Sequence, residues 1–199
     1  MLLKRARIED GRLPIHVYAR AAAEDPELGE HELIANLIFV VASGHRSGTQ
    51  GLALAIHALA CHPEQFARLR SHRDLVAGAV EELLRWDGPV QSTSRVLRAD
   101  AELAGAALSA GELALVVLGA ANRDPRAFAH ADRLDVTANA ARHVSFGYGA
   151  HFCVGAALMR IVLQEAIAAL VARAPALELA EDPRWLPTRR GFERLTVCW

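Results

Sequence analysis

One cysteine stands in a setting that suits chemistry. Residues 146–155 read Phe-Gly-Tyr-Gly-Ala-His-Phe-Cys-Val-Gly, which puts Cys153 in a glycine-rich loop just ahead of a helical pattern. Leu158, Val162, Ala166 and Leu170 fall on one face of that helix at a spacing of four. Glycine carries no Cβ, so the backbone of such a loop can approach a flat ligand closely. A thiolate beside a helix N-terminus is favoured by the dipole and by free N–H groups. Such a sulfur can ligate iron and accept backbone hydrogen bonds that tune the metal. The plainer alternative is an inert buried cysteine beside a turn.

The spacing of the loop is specific. Phe146, Gly147, Gly149, His151, Cys153 and Gly155 match Phe-Gly-x-Gly-x-His-x-Cys-x-Gly. This resembles the heme-binding loop of the cytochrome P450 family, the heme-thiolate monooxygenases, in its bacterial soluble form. The resemblance implies a heme b (iron protoporphyrin IX) cofactor with Cys153 as proximal iron ligand. It further implies that His151 donates to a heme propionate and that Phe146 packs beside the sulfur. Zinc or thiol redox chemistry is a poor match, since no second cysteine or histidine cluster has metal-ligand spacing.

The elements that must position this loop are mostly helical. A long helix is expected from about Gly29 to Cys61, with Glu30 and Glu32 in its first turn. His62-Pro63 ends it, because proline disfavours helix at the residue before it. Midway sits Ser43-Gly44-His45-Arg46-Ser47-Gly48. Each interior glycine costs about 1 kcal/mol relative to alanine, which suits either a ligand close to the backbone or a kink or tight helix crossing. In the family, the distal helix carries Ala/Gly-Gly-x-Asp/Glu-Thr, whose acid and hydroxyl help deliver protons to oxygen. Counting back from His62-Pro63, Gly44 takes the glycine place, Arg46 the acid and Ser47 the threonine. Serine keeps a hydroxyl, whereas arginine stays protonated and offers no acceptor. The departure bears on oxygen activation and leaves heme binding untouched.

Leu75 to Arg85 is a second expected helix, with Val76, Ala79, Val80, Leu83 and Leu84 at helical spacing. Glu82 and Arg85 lie three apart on one face. Alone they read as a surface pair; within the resemblance they are the family's buried Glu-x-x-Arg, completed by Arg133 of Asp132-Arg133-Leu134-Asp135. Beyond Asp87-Gly88-Pro89 the pattern turns extended. The resemblance puts Arg95 on a heme propionate, a pairing that suits a guanidinium. Short strands are expected near Ala101–Leu103 and Leu113–Val117, with turns at Gly105 and Gly111. Ala120-Ala121-Asn122-Arg123-Asp124-Pro125 resembles the family's short helix and the turn after it, and a winding segment is expected from Phe128 to Ala141. His143 reads either as a hydrogen-bond donor near the heme edge or as a solvated histidine. The tail from Leu177 to Trp199 suggests a small hairpin, with Thr188, Arg189 and Arg190 in its turn.

Composition bounds the rest. The 199 residues are 52% hydrophobic, enough to fill a core, and the formal net charge of −1 points to no nucleic acid and no membrane partner. Three scattered cysteines make no disulfide framework, so a reducing compartment is the default. No apolar run approaches a membrane span, and the chain reads as cytoplasmic. The expected fold is mainly α with small antiparallel β elements, the C-terminal portion of the cytochrome P450 fold. Residues 1–28 are expected to form a short N-terminal helical segment and 29–199 the heme-binding portion. The family's N-terminal half has no counterpart, so the chain reads as a fragment or as a reduced protein, with apolar surface exposed on the long helix.

The function implied is a monooxygenase, or a truncated form of one. It would insert one oxygen atom from O2 into a small organic substrate, with electrons from NAD(P)H through a reductase and a ferredoxin-type donor. The alternative is a non-catalytic heme-binding helper or remnant acting through a partner.

Overall fold

In the computed structural model, Arg20, Glu24, residues 29–138 and residues 140–199 are described. The expected helical segment over residues 1–28 otherwise lies outside them. A helix of 32 residues, α1 (Glu30–Cys61), opens the described chain. Its first turn is capped by its own sequence, since the Gly29 N–H donates to the Glu32 carboxylate at 3.2 Å. Two compact units divide the chain, and the division falls inside α1 between Arg46 and Ser47. In the first unit Leu33 is buried, while Ile38, Phe39 and Val41 along the same helix are exposed.

The second unit holds the core. After α1 come α2 (Pro63–Ser71), a 3-10 turn (Arg73–Leu75) and α3 (Val76–Trp86). Proline begins α2 at the position where its missing N–H costs nothing, so one residue both stops α1 and starts the next helix. A last long helix, α5 (Ala156–Arg173), follows the cysteine loop, and the short α4 (Leu118–Ala121) lies between. α5 packs on α3 and α2. Ala55, Ala58 and Leu59 from α1 join Phe66 and Leu69 from α2, Val80 and Leu83 from α3, and Leu163, Ile167 and Val171 from α5.

The buried seam of α5 is therefore 163, 167 and 171. It is not the face of Leu158 and Val162, which are exposed. The two stripes lie side by side on a helix whose apolar residues run round most of its surface, and only the position of α3 selects one of them.

Among the described residues, four two-stranded antiparallel ribbons complete the unit. β1 (Thr93–Val96) pairs with β4 (Leu113–Val116), and β2 (Ala101–Leu103) pairs with β3 (Ala106–Leu108). The β2–β3 turn has both central residues at positive φ, Ala104 at 52° and Gly105 at 83°, the geometry that matches strand twist in a two-residue hairpin. The tail forms nested ribbons: β5 (Glu178–Leu179) pairs with β8 (Val197–Cys198), and β6 (Arg184–Trp185) with β7 (Phe192–Arg194). The Gln50 side chain docks this tail on α1. Its amide accepts from the Phe192 N–H at 2.7 Å and donates to the Phe192 carbonyl at 3.0 Å.

Candidate functional site

Cys153 sits two residues ahead of Gly155, which caps α5. Gly147 and Gly149 take φ of 74° and 84°, a region closed to most side chains, and this folds the loop back on itself. The Cys153 N–H then donates to the Phe146 carbonyl at 3.0 Å, closing a ring of eight residues with the thiol exposed. His151 lies in a 3-10 turn (Gly149–His151) and is exposed. Tyr148, Phe152 and Val154 around the sulfur are exposed too, as are Leu158 and Val162 on the adjoining face of α5.

A flat apolar ring with an iron at its centre fits this donor set. One sulfur is offered, and the described residues contain no group of three His, Cys, Asp or Glu able to cage a metal. A single sulfur suits a cofactor that brings its own metal ligands, and apolar side chains beside the sulfur suit the faces of a flat ring.

The ring of Phe146 is held from three sides. His143 lies 5.7 Å away, Phe152 6.3 Å, and the Arg160 guanidinium covers the ring at 4.6 Å. Arg160 is in turn bidentate to Glu81 on α3, with Nε to Oε1 and Nη2 to Oε2 both at 2.8 Å. His143 meets the same carboxylate at 3.2 Å, and its side chain is 1% exposed. This excludes the solvated reading of His143. Burial alone would raise the Glu81 carboxyl, but hydrogen bonds from His143 and Arg160 outweigh it and lower it to about 2.

Glu82 and Arg85 are both buried and bonded at 2.6 and 2.8 Å. Arg85 spends all five donors: two on Glu82, and the others on the carbonyls of Asn122 (2.9 Å), Ala131 (2.8 Å) and Arg133 (3.0 Å). Arg133 thus enters the network through its main chain, not its guanidinium. Both Glu82 oxygens already accept, one of them also from the Asp135 N–H at 3.0 Å. Asn122, which the sequence did not single out, links this network to the loop. Its carboxamide accepts from the Val144 N–H and donates to Ser145 Oγ, both at 2.8 Å.

The distal candidates lie on α1. Gly44 and Arg46 are exposed and end the first unit, while Ser47 is half-buried in the second. A Cβ on Gly44 would meet nothing within 4 Å, whereas one on Gly48 would touch the Met159 sulfur at 3.6 Å and one on Gly51 would press the Met159 methyl at 3.3 Å. So Gly48 and Gly51 leave room for the Met159 side chain of α5. Arg95 on β1 is exposed and folds onto its own strand, donating to Thr93 Oγ1 at 3.0 Å and to the Ser94 carbonyl at 2.7 Å. In the tail, Arg190 is committed to Asp87 at 2.7 Å and stacks on Trp185 at 4.3 Å.

Comparison with known proteins agrees with this geometry. The family model for cytochrome P450 matches residues 13–174. The chain is 37% identical over its whole length to cytochrome P450 monooxygenase PikC of Streptomyces venezuelae and covers 49% of that protein. It is 39% identical to the biotin biosynthesis cytochrome P450 of Bacillus subtilis, with 88% of this chain and 45% of that one aligned. Among solved structures, the bacillaene polyketide synthase cytochrome P450 PksS of Bacillus subtilis superposes with a TM-score of 0.92 at 33% identity, covering 98% of this chain and 52% of its own. The chain spans about half the length of the curated relatives it matches. Among the described residues no helix is long and apolar enough to cross a membrane. By sequence, fold and loop geometry together, the chain belongs to the cytochrome P450 family.

Proposed function

We propose that this chain is the heme-binding portion of a cytoplasmic monooxygenase that inserts one oxygen atom from O2 into a small organic substrate. Its electrons would come from NAD(P)H through a reductase and a ferredoxin-type donor. The exposed thiol of Cys153, in a loop closed by its own N–H on Phe146, carries the reading. Heme b, when bound, would supply the oxygen chemistry. The protein's part is to bind and orient. Cys153 would ligate the iron, with Phe146, Gly147, Gly149 and Gly155 shaping its loop. His151 and Arg95 donate to the propionates; for Arg95 this means exchanging two local hydrogen bonds for a charge-assisted one. Ser47 offers a hydroxyl from the distal helix, and Gly44 leaves the helix surface bare one turn before it.

Reconstitution with heme tests the reading. The reduced carbon-monoxide complex should show the red-shifted Soret band of a thiolate ligand, and Cys153→Ala should abolish it. A histidine-like spectrum from the unmodified chain would overturn the assignment.

Arg46 favours a second reading. A guanidinium at the place of the family's acid cannot pass a proton on, because it does not deprotonate. The chain would then be a heme-binding helper or remnant that works through a partner. Product formed per NAD(P)H consumed separates the two: efficient coupling supports the enzyme, and none supports the helper.

A further inference from the structure

The cysteine loop rests on a guanidinium from the helix that follows it. Arg160, in the second turn of α5, has one edge on Glu81 through two bonds of 2.8 Å. Its face covers the Phe146 ring at 4.6 Å. The Phe146 carbonyl is the acceptor on which the Cys153 N–H closes at 3.0 Å. One guanidinium thus ties α5, α3 and the first residue of the loop together. An isolated surface ion pair contributes little. This one is different: the Glu81 side chain is only 16% exposed, and the same carboxylate also takes His143.

We propose that Arg160 is a positioning residue for Cys153: held by Glu81 and stacked on Phe146, it fixes the carbonyl that closes the loop and places a permanent positive charge behind the sulfur. The effect on the sulfur rests on Cys153 being the axial ligand; the effect on the loop does not. The geometry needs arginine in particular, because a lysine ammonium can neither chelate a carboxylate at two points nor lie flat on a ring. Mutual attraction with Cys153 also contributes, after the Glu81 hydrogen bond, to raising the Arg160 pKa.

The test is amide hydrogen exchange on the full chain, comparing Arg160→Met and Arg160→Lys with the unmodified protein. In Arg160→Met, amides in the loop at 146–155 should exchange on the order of tenfold faster, the scale expected for a partly buried cation–π contact and its ion pair. Amides at 163–171 in α5 should not change, and Arg160→Lys should recover only part of the loss. Unchanged loop exchange, full recovery with lysine, or equal acceleration of loop and helix would each overturn the proposal. If Arg160→Met does not fold, Phe146→Leu removes the ring from the other side and should open the same loop amides. In the heme-loaded chain the iron potential should become more negative in Arg160→Met, since a cation near the thiolate stabilises the reduced, less positive state. An unshifted potential would overturn the charge role. A chain that takes up no heme would overturn the ligand reading of Cys153, and exchange would still decide the clamp.

Discussion

At Glu81 a single carboxylate serves two partners from different parts of the chain, Arg160 on α5 and His143 before the loop. Its folded pKa falls from the ordinary 4.5 to about 2 because those bonds outweigh the effect of burial. A depressed carboxyl contributes stability that is complete above the unfolded value and fades as pH drops through the folded one. The chain should therefore lose stability between pH 4.5 and about 2 partly through this site. Glu81→Gln should flatten that limb, and denaturant midpoints across this window would measure it. An acid limb identical in the variant would show that Glu81 keeps its ordinary pKa in the fold.

At the scale of elements, α3 is the member that organises the site, because consecutive residues on it serve two networks. Glu81 reaches the cysteine loop, and Glu82 with Arg85 reaches the segment from Asn122 to Asp135. Glu82→Ala would leave Arg85, 4% exposed, without its counterion. Breaking one side of a buried pair typically costs about 3–5 kcal/mol, so the expected result is a large drop in unfolding midpoint together with weaker heme retention. An unchanged melting curve would mean that solvent reaches Arg85. The tail is docked more lightly, by the Gln50 amide and by the rings of His57, Trp185 and Phe192 at 4.1–5.3 Å.

At the scale of the whole molecule, apolar side chains remain exposed on the β1–β4 ribbon. Val96, Leu113 and Leu115 share one face of the β1–β4 ribbon, because Val96 pairs with Leu113 and Leu115 stands two residues on. They are 63%, 68% and 64% exposed. A cluster of this kind on a short two-stranded ribbon favours association. The 199-residue chain should self-associate as its concentration rises, and Leu113→Glu with Leu115→Glu should shift sedimentation toward the monomer. Equal sedimentation of the two proteins would show that the face does not drive association.

The sequence by itself determined the local features. Proline at 63 and the acids at 30 and 32 bounded the long helix, and the glycines at 105 and 111 marked turns between strands. The six fixed positions around Cys153 identified the family, because backbone geometry and a single ligand are written in consecutive residues. Which partners a side chain meets was decided only in three dimensions. Glu81 and Arg160 are 79 residues apart, and Gln50 and Phe192 are 142 apart; no spacing rule connects them. The seam of α5 could not be chosen among apolar stripes until α3 lay against it. Arg133 was legible as a member of the buried network, but its use through a carbonyl was not: Arg85 had donors to fill, and the nearest acceptors were main-chain oxygens.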